Sequence, residues 1–365
     1  MSAAQVPTSL NAPANRTSTR RLIRHTPLLA LAATAVIPSL ASSASAKEFY
    51  AGKTVDYVVG SDAGGSYNAF ARMITRHLPE HIPGKPTIIV QNMPGAGGLR
   101  AANVLYNVAP KDGLTIGMIN NTLAFDPLYG NKNAQFDATK FNWLGTPSKE
   151  TGLLVVWHVV PVNTLEDAKT RPLVLGASGT GSTPAFYARV LASIFDIKVK
   201  IIPGYKSQTD SFLAMERGEN DGNASPFWSS LNNNYPSWLT EKKIKVLTYY
   251  GANPVPEIPG PYVFDLISDP EKKAIMTIAQ AGLAMGRPSL MPPGVAPEKV
   301  AVLRQAFDET FKDPEYLAEC EKQRLDCSTP STGQDMLDMI KDVYSSPKGA
   351  VDKITEIYMM GQQKS

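Results

Sequence analysis

Cysteine is almost absent from this 365-residue chain, which holds only Cys320 and Cys327. That excludes a scaffold built on several disulfides and a cysteine-rich zinc module. Histidine is nearly as scarce: past the amino-terminal segment only His77, His81 and His158 occur, and they form no separate ligand cluster. Beyond residue 46 no run reaches 18 consecutive apolar residues, so no membrane-spanning helix is expected there. No G-x-x-x-x-G-K-[ST] phosphate loop is present either. Acidic residues are missing from residues 1–46, which carry Arg16, Arg20, Arg21 and Arg24. Setting these four aside turns the formal net charge of +3 into about −1. No basic surplus remains for nucleic acid, and nucleic-acid binding is excluded as a role. What the chain does have is 43% apolar against 19% charged residues. That suffices for a large core, argues for two domains at this length, and excludes global disorder.

The amino terminus reads as a signal peptide. A basic cluster at residues 20–24 (RRLIR) precedes an apolar stretch from Pro27 to Leu40, and Ala44-Ser45-Ala46 fits an A-x-A cleavage site. The apolar stretch, about 14 residues, is too short to cross a bilayer. Cleavage after Ala46 and export of a chain starting at Lys47 are expected, with no membrane-spanning segment after processing. Export places Cys320 and Cys327 in an oxidising compartment, where both a disulfide and a pair of part-buried thiols are compatible with the sequence.

Along the mature chain, short apolar runs alternate with helical patterns. Residues 54–60, 87–91 and 114–119 read as strands, and the chain turns at Ala63-Gly64-Gly65 after the first. Phe70, Met73, Ile74 and Leu78 then recur at helical spacing, and Pro79 is expected to stop that helix. A second unit repeats the theme. Residues 173–176 form a strand, residues 177–183 a Gly/Ser/Thr loop, and Thr183-Pro184 open a helix with Tyr187, Val190, Leu191 and Ile194 on one face. Residues 244–250 add a strand, and Pro254, Pro256, Pro259 and Pro261 mark an irregular link. The last third is helical, with one stripe at Val300, Leu303, Phe307 and Phe311 and another at Met336, Met339, Ile340, Val343 and Tyr344. Strands alternating with helices imply α/β lobes with mainly parallel sheets.

Three partial motifs carry no chemistry. His77-Leu78-Pro79-Glu80-His81 matches H-x-x-E-H, but a proline between the histidines opposes the single helix face that zinc would need. Gly176-Ala177-Ser178-Gly179-Thr180 lacks the closing glycine of a nucleophile elbow, and a hydrolase using Ser178 or Ser182 has no paired histidine. Gly95-Ala96-Gly97-Gly98 is not a dinucleotide fingerprint, because Arg100 stands where the last glycine belongs. No enzymatic activity, cofactor or metal is expected.

The two glycine loops suit an anion. A helix N-terminus leaves about four N–H groups without intrahelical partners and carries partial positive charge. Glycines let a guest approach that backbone. A carboxylate is then held by N–H and hydroxyl donors, with no buried Lys or Arg required.

Several segments together resemble the extracytoplasmic solute receptors of tripartite tricarboxylate transporters, over nearly the whole mature chain. Gln91-Asn92-Met93-Pro94-Gly95-Ala96-Gly97-Gly98 is close to that family's N-x-P-G-A-G-G signature. Ala63-Gly64-Gly65, Pro110-Lys111-Asp112-Gly113-Leu114-Thr115, Gly179-Thr180-Gly181-Ser182, Met291-Pro292-Pro293-Gly294-Val295 and Lys312-Asp313-Pro314 match further segments. The resemblance implies a two-lobed, Venus-flytrap (type II-like) periplasmic binding protein. It would close on a small organic carboxylate and deliver it to the membrane subunits of a transporter. The alternative is a carboxylate sensor that passes ligand occupancy to a membrane signalling protein. Carried over by position, the ligand contacts are Ala63, Gly64, Gly65, Ser66 and Asn68 in the first loop, and Gly179, Thr180, Gly181, Ser182 and Thr183 in the second. Asn121, Thr122, Tyr205 and Asp221 are added from neighbouring segments. Residues 47–148 and 252–365 are expected to form one lobe and 149–251 the other, with crossings near Gly145–Thr151 and Tyr249–Pro254. The chain departs from the family pattern at Gly60-Ser61-Asp62, where an acid beside an anion loop would repel a carboxylate, and near Ala185.

Overall fold

The structure, a computed structural model, describes residues 49–61, 63, 66–180, 182–205 and 207–362. The signal-peptide reading of residues 1–46 therefore lies outside the described residues. Apolar runs become strands in chain order: β1 (Thr54–Val59), β2 (Thr87–Asn92), β3 (Thr115–Met118) and β4 (Asn142–Thr146). Then come β5 (Gly152–Trp157), β6 (Leu173–Gly176), β7 (Val199–Ile202), β8 (Gly222–Asn223) and β9 (Ile244–Tyr250). The short β10 (Ser289–Met291) and β11 (Ser331–Thr332) close the series. They form two sheets, ordered β11-β4-β10-β3-β1-β2 and β7-β6-β8-β5-β9, so the fold is α/β with two lobes.

Both sheets are mixed. Pairing is parallel between β1 and its neighbours β2 and β3, and between β6 and its neighbours β7 and β8. These are the helix-connected units, in which each crossover returns the chain to run in the same direction. The remaining pairs are antiparallel. In the first sheet the cause is order of arrival: β10 comes back after the second sheet is complete and enters between β3 and β4 from the opposite direction.

Helices of nine residues or more are numbered α1 (Ser66–His81), α2 (Leu99–Asn107), α3 (Thr183–Phe195), α4 (Gln208–Glu216) and α5 (Pro270–Met285). They continue with α6 (Pro297–Thr310), α7 (Pro314–Lys322), α8 (Gly333–Tyr344) and α9 (Lys348–Gln362). In α1, Phe70, Ala71, Met73, Ile74 and Leu78 are buried against β1 and the α6 stripe of Val300, Leu303 and Phe307. Each larger side chain contributes roughly 1.5–3 kcal/mol by leaving water. This packing corrects the expected stop at Pro79, since α1 runs through it to His81. The proline falls in the last turn, where one helix bond is lost, and buried Leu78 and Ile82 hold the turn in place. His77 Nε2 lies 2.6 Å from Glu319 and His81 Nε2 lies 2.8 Å from Asp313, so these side chains pin α1 to α7 and its cap. Among the described residues no group of three or more His, Cys, Asp and Glu is placed to hold a metal. Cys320 and Cys327 are joined in a disulfide.

The chain leaves the first sheet through residues 147–151 and returns to it through residues 251–288. The outgoing segment and the end of the return segment are bonded to each other. Glu150 N–H donates to the Leu283 carbonyl (2.9 Å), and Arg287 N–H donates to Thr146 Oγ1 (2.9 Å). Thr146 Oγ1 in turn donates to the Ser148 carbonyl at 3.0 Å. Further on, α9 lies against α3 and α5, with Arg189 Nε donating to the Ile357 carbonyl at 3.2 Å.

Candidate functional site

A cavity of about 250 Å³ opens at the carboxyl ends of strands from both sheets, the place where α/β folds bind ligands. The first sheet contributes Asn120, Asn121 and Thr122 just past β3, and Tyr67 from the first turn of α1. The second contributes Ala177 and Ser178 past β6, Thr183, Pro184 and Tyr187 of α3, and Ser207, Gln208 and Ser211 around the start of α4. Asn223 ends β8, Ser225 and Phe227 follow it, and Leu283 and Arg287 come from the return segment. Three helix N-termini thus border one space, which favours negative charge. The α3 terminus has no side-chain cap, because Ser182 turns its hydroxyl away.

Side chains order the walls. Asn120 Oδ1 accepts from the Thr122 N–H (3.1 Å) and hydroxyl (3.0 Å), fixing the turn after β3. The Tyr67 hydroxyl accepts from Asn121 N–H at 3.1 Å, and burial pushes its pKa up. Asn223 Nδ2 donates to the Gly176 carbonyl at 3.2 Å, and Gln208 Nε2 to the Ser225 carbonyl at 3.3 Å. At Gly176 a Cβ would lie 2.2 Å from Ser211 Oγ, so only glycine lets α4 approach the end of β6.

Arg287 is the one charged residue among the described lining residues. It is 7% exposed, and its Nη1 donates to Glu150 Oε1 at 2.7 Å. Its guanidinium carbon sits 5.2 Å from the Tyr67 ring centre, 5.1 Å from Phe70 and 5.9 Å from Phe227. The buried Nε has no hydrogen-bond partner. Glu150 is more buried still, and that burial pushes its carboxyl pKa up against the pull of Arg287. A cationic group in the wall corrects the expectation that amides and hydroxyls alone line this space.

Of the residues read from sequence as ligand contacts, Asn121, Thr122 and Thr183 line the cavity. Others sit elsewhere for identifiable reasons. Ser182 Oγ donates to the Gly179 carbonyl at 2.6 Å, and Thr180 Oγ1 donates to the Gly361 carbonyl at 2.9 Å. Both hydroxyls therefore shape the second loop, Gly179 included, and leave Ser178 and Thr183 at the wall. Asn68 is buried with Nδ2 bonded to the Ala63 carbonyl at 2.5 Å, bracing the first loop. The Tyr205 ring packs behind Gly176, and its hydroxyl accepts from Asn220 Nδ2 at 3.3 Å. The Asp221 carboxylate accepts from Val174 N–H at 2.8 Å and from Arg171 at 3.4 Å, outside the cavity wall. Gly64, Gly65 and Gly181 lie outside the described residues, as do Asp62 and the side chain of Ser66. Sequence reasoning missed Tyr67, Gln208, Asn223 and Arg287. For Arg287 a signal existed, since it is the only charged residue between Lys273 and Glu298.

A smaller cavity of about 50 Å³ adjoins the first, sharing Thr122 and Thr183, and is lined by Asp126, Arg189, Phe186 and Tyr358 among others. Asp126 is 6% exposed and accepts from Asn131 Nδ2 at 2.7 Å. Burial pushes its pKa up to about 6, against hydrogen bonds from Asn131 and Tyr358. A carboxyl whose pKa is higher folded than unfolded holds its stabilising contribution below the unfolded value and loses it as pH rises through the folded one. That loss, about 2–3 kcal/mol, falls between pH 4 and 7. Asp126→Asn is expected to remove it. In urea titrations the variant should gain that much on the wild type between pH 4 and pH 7, and a constant difference would refute the assignment.

The family model described as tripartite tricarboxylate transporter family receptor matches residues 70–355. A Cupriavidus necator protein described as "UPF0065 protein in gbd 5'region" is 25% identical over 307 residues, covering 78% of this chain and 83% of that protein. A TctC solute-binding protein from Polaromonas, solved without ligand, superposes with a TM-score of 0.64 at 18% identity, over 82% of this chain and 98% of its own. MatC from Rhodopseudomonas palustris, solved with bound malate, gives 0.58 at 18% identity, over 84% and 99%. The match over most of the chain, on a two-sheet fold with a cavity at the strand ends, means that the chain belongs to the tripartite tricarboxylate transporter receptor family.

Proposed function

We propose that this receptor captures a small organic carboxylate in the cavity between its sheets and delivers it to the membrane subunits of a tripartite tricarboxylate-type transporter. The wall chemistry carries the reading: hydroxyl, amide and helix N-terminal donors from both sheets converge with a guanidinium, and no acidic side chain is among the described lining residues. Family membership and the malate in a structural neighbour support the same ligand class. On this reading residues 1–46 are removed on export and the mature protein acts in the periplasm, without a cofactor and without enzymatic turnover. Residues 47–148 and 252–365 make one lobe and 149–251 the other, and the bonded crossing segments are the hinge. Asn121, Thr122, Ser178 and Thr183 are proposed to contact the ligand directly.

Thermal unfolding with succinate, malate, citrate and benzoate tests the proposal. An acid present at a hundred times its dissociation constant should add about 2.7 kcal/mol of stability. Stabilisation by sugars or cations alone, with none of the acids effective, would reject it.

A further inference from the structure

We infer that Arg287 is the carboxylate-recognising residue of this cavity, gripping the acid with the edge of its guanidinium that Glu150 leaves unused. The inference rests on the receptor reading above and names the group that confers acid selectivity within it. A guanidinium offers five donors in a rigid fork, two of which match a carboxylate side by side. Glu150 occupies Nη1, while Nε is buried and has no partner. A residue of the cavity wall thus carries an unmet donor on a charged group, and a small turn of the guanidinium about its Glu150-held end would present that edge to a guest. A guest carboxylate would complete its bonding.

The surroundings suit an anchor more than a plain structural ion pair. Tyr67 and Phe70 of α1 pack on the guanidinium from the first sheet, and Phe227, after β8, from the second. The Glu150 carboxylate also accepts from Ser229 Oγ at 3.1 Å. Arg287 thus stands where both halves of the molecule meet, its plane set by rings and its far end held by Glu150. Because Glu150 already balances its charge, recognition relies on the directional fork more than on net attraction. A neutral amide analogue cannot use two donors in parallel and is discriminated against.

The experiment compares wild type with Arg287→Lys, which keeps a cation beside Glu150 but lacks the fork. The double variant Glu150→Gln/Arg287→Gln removes both charges together. Binding of succinate, malate, citrate and benzoate, and of their primary amides, is measured by calorimetry on protein whose folding is checked by circular dichroism. The variants should lose roughly 10- to 100-fold in affinity for whichever acid binds, with little change for its amide. In the unaltered protein, the Arg287 Nε–H resonance should shift on adding that acid. Equal losses for acid and amide, or an unmoved resonance at saturation, would overturn the inference while the receptor reading stands. Binding of none of the four acids by wild type would remove both.

Discussion

Gly286→Ala is expected to be among the most damaging single substitutions in the molecule, lowering stability by about 4 kcal/mol or more. Gly286 has φ +54° and ψ −106°, a combination that L-residues avoid, and it lies between α5 and β10 where the return segment meets residues 146–150. A Cβ there would stand 1.8 Å from the Ser148 carbonyl oxygen and 2.7 Å from Thr146 Oγ1. Backbone cannot yield as a flexible side chain can, so relief requires the two segments to separate. Separation breaks the bonds from Arg287 N–H to Thr146 and from Glu150 N–H to Leu283. Gly218→Ala provides the control, because Gly218 has φ +76° with nothing within 4 Å of a Cβ. It should cost only the backbone strain, roughly 1 kcal/mol. Urea midpoints of the two variants separate collision from strain, and similar losses at both positions would contradict the argument.

β1, β2, β3, β6 and β9 were legible as short apolar runs bounded by turn residues, whereas β5, the apolar run Gly152–Trp157, was not read. The runs at 173–176 and 244–250 coincide with β6 and β9 because burial on both faces needs no cue beyond local composition. β10 was not legible. It is three residues long, flanked by Pro288 and Pro292, and is a strand only because β3 and β4 hold it from either side. The cavity shows the same division. Asn121, Thr122 and Thr183 could be read because strand ends and helix starts place them. Thr180 and Ser182 could not, because a loop hydroxyl points wherever its partner stands, and that of Thr180 is Gly361, 181 residues away in sequence. Arg287 was not legible as a wall residue because helix N-termini and hydroxyls can hold an anion without a cation, although an isolated charge in the long apolar stretch between Lys273 and Glu298 demanded a buried partner.

Removing that partner gives the second large expected effect. Glu150→Ala should destabilise the protein by about 3–5 kcal/mol, because it strands a cation that is nine-tenths buried among Tyr67, Phe70 and Phe227. The loss differs in kind from that at Gly286. The glycine is limited by space, which no second substitution at a distance restores, whereas Glu150 is required by the charge it faces. Replacing Arg287 by Met in the Glu150→Ala background should therefore recover much of the stability, since an apolar chain of similar reach can fill the aromatic box without a partner. Recovery should stop short of completeness, because Met lacks the guanidinium's attraction to the ring faces and the Ser229 hydroxyl also loses its acceptor. A double-mutant cycle at neutral pH, read from urea midpoints, measures the coupling directly. If the double variant is no more stable than Glu150→Ala alone, the buried charge is not the cause and Glu150 acts through packing at the crossing.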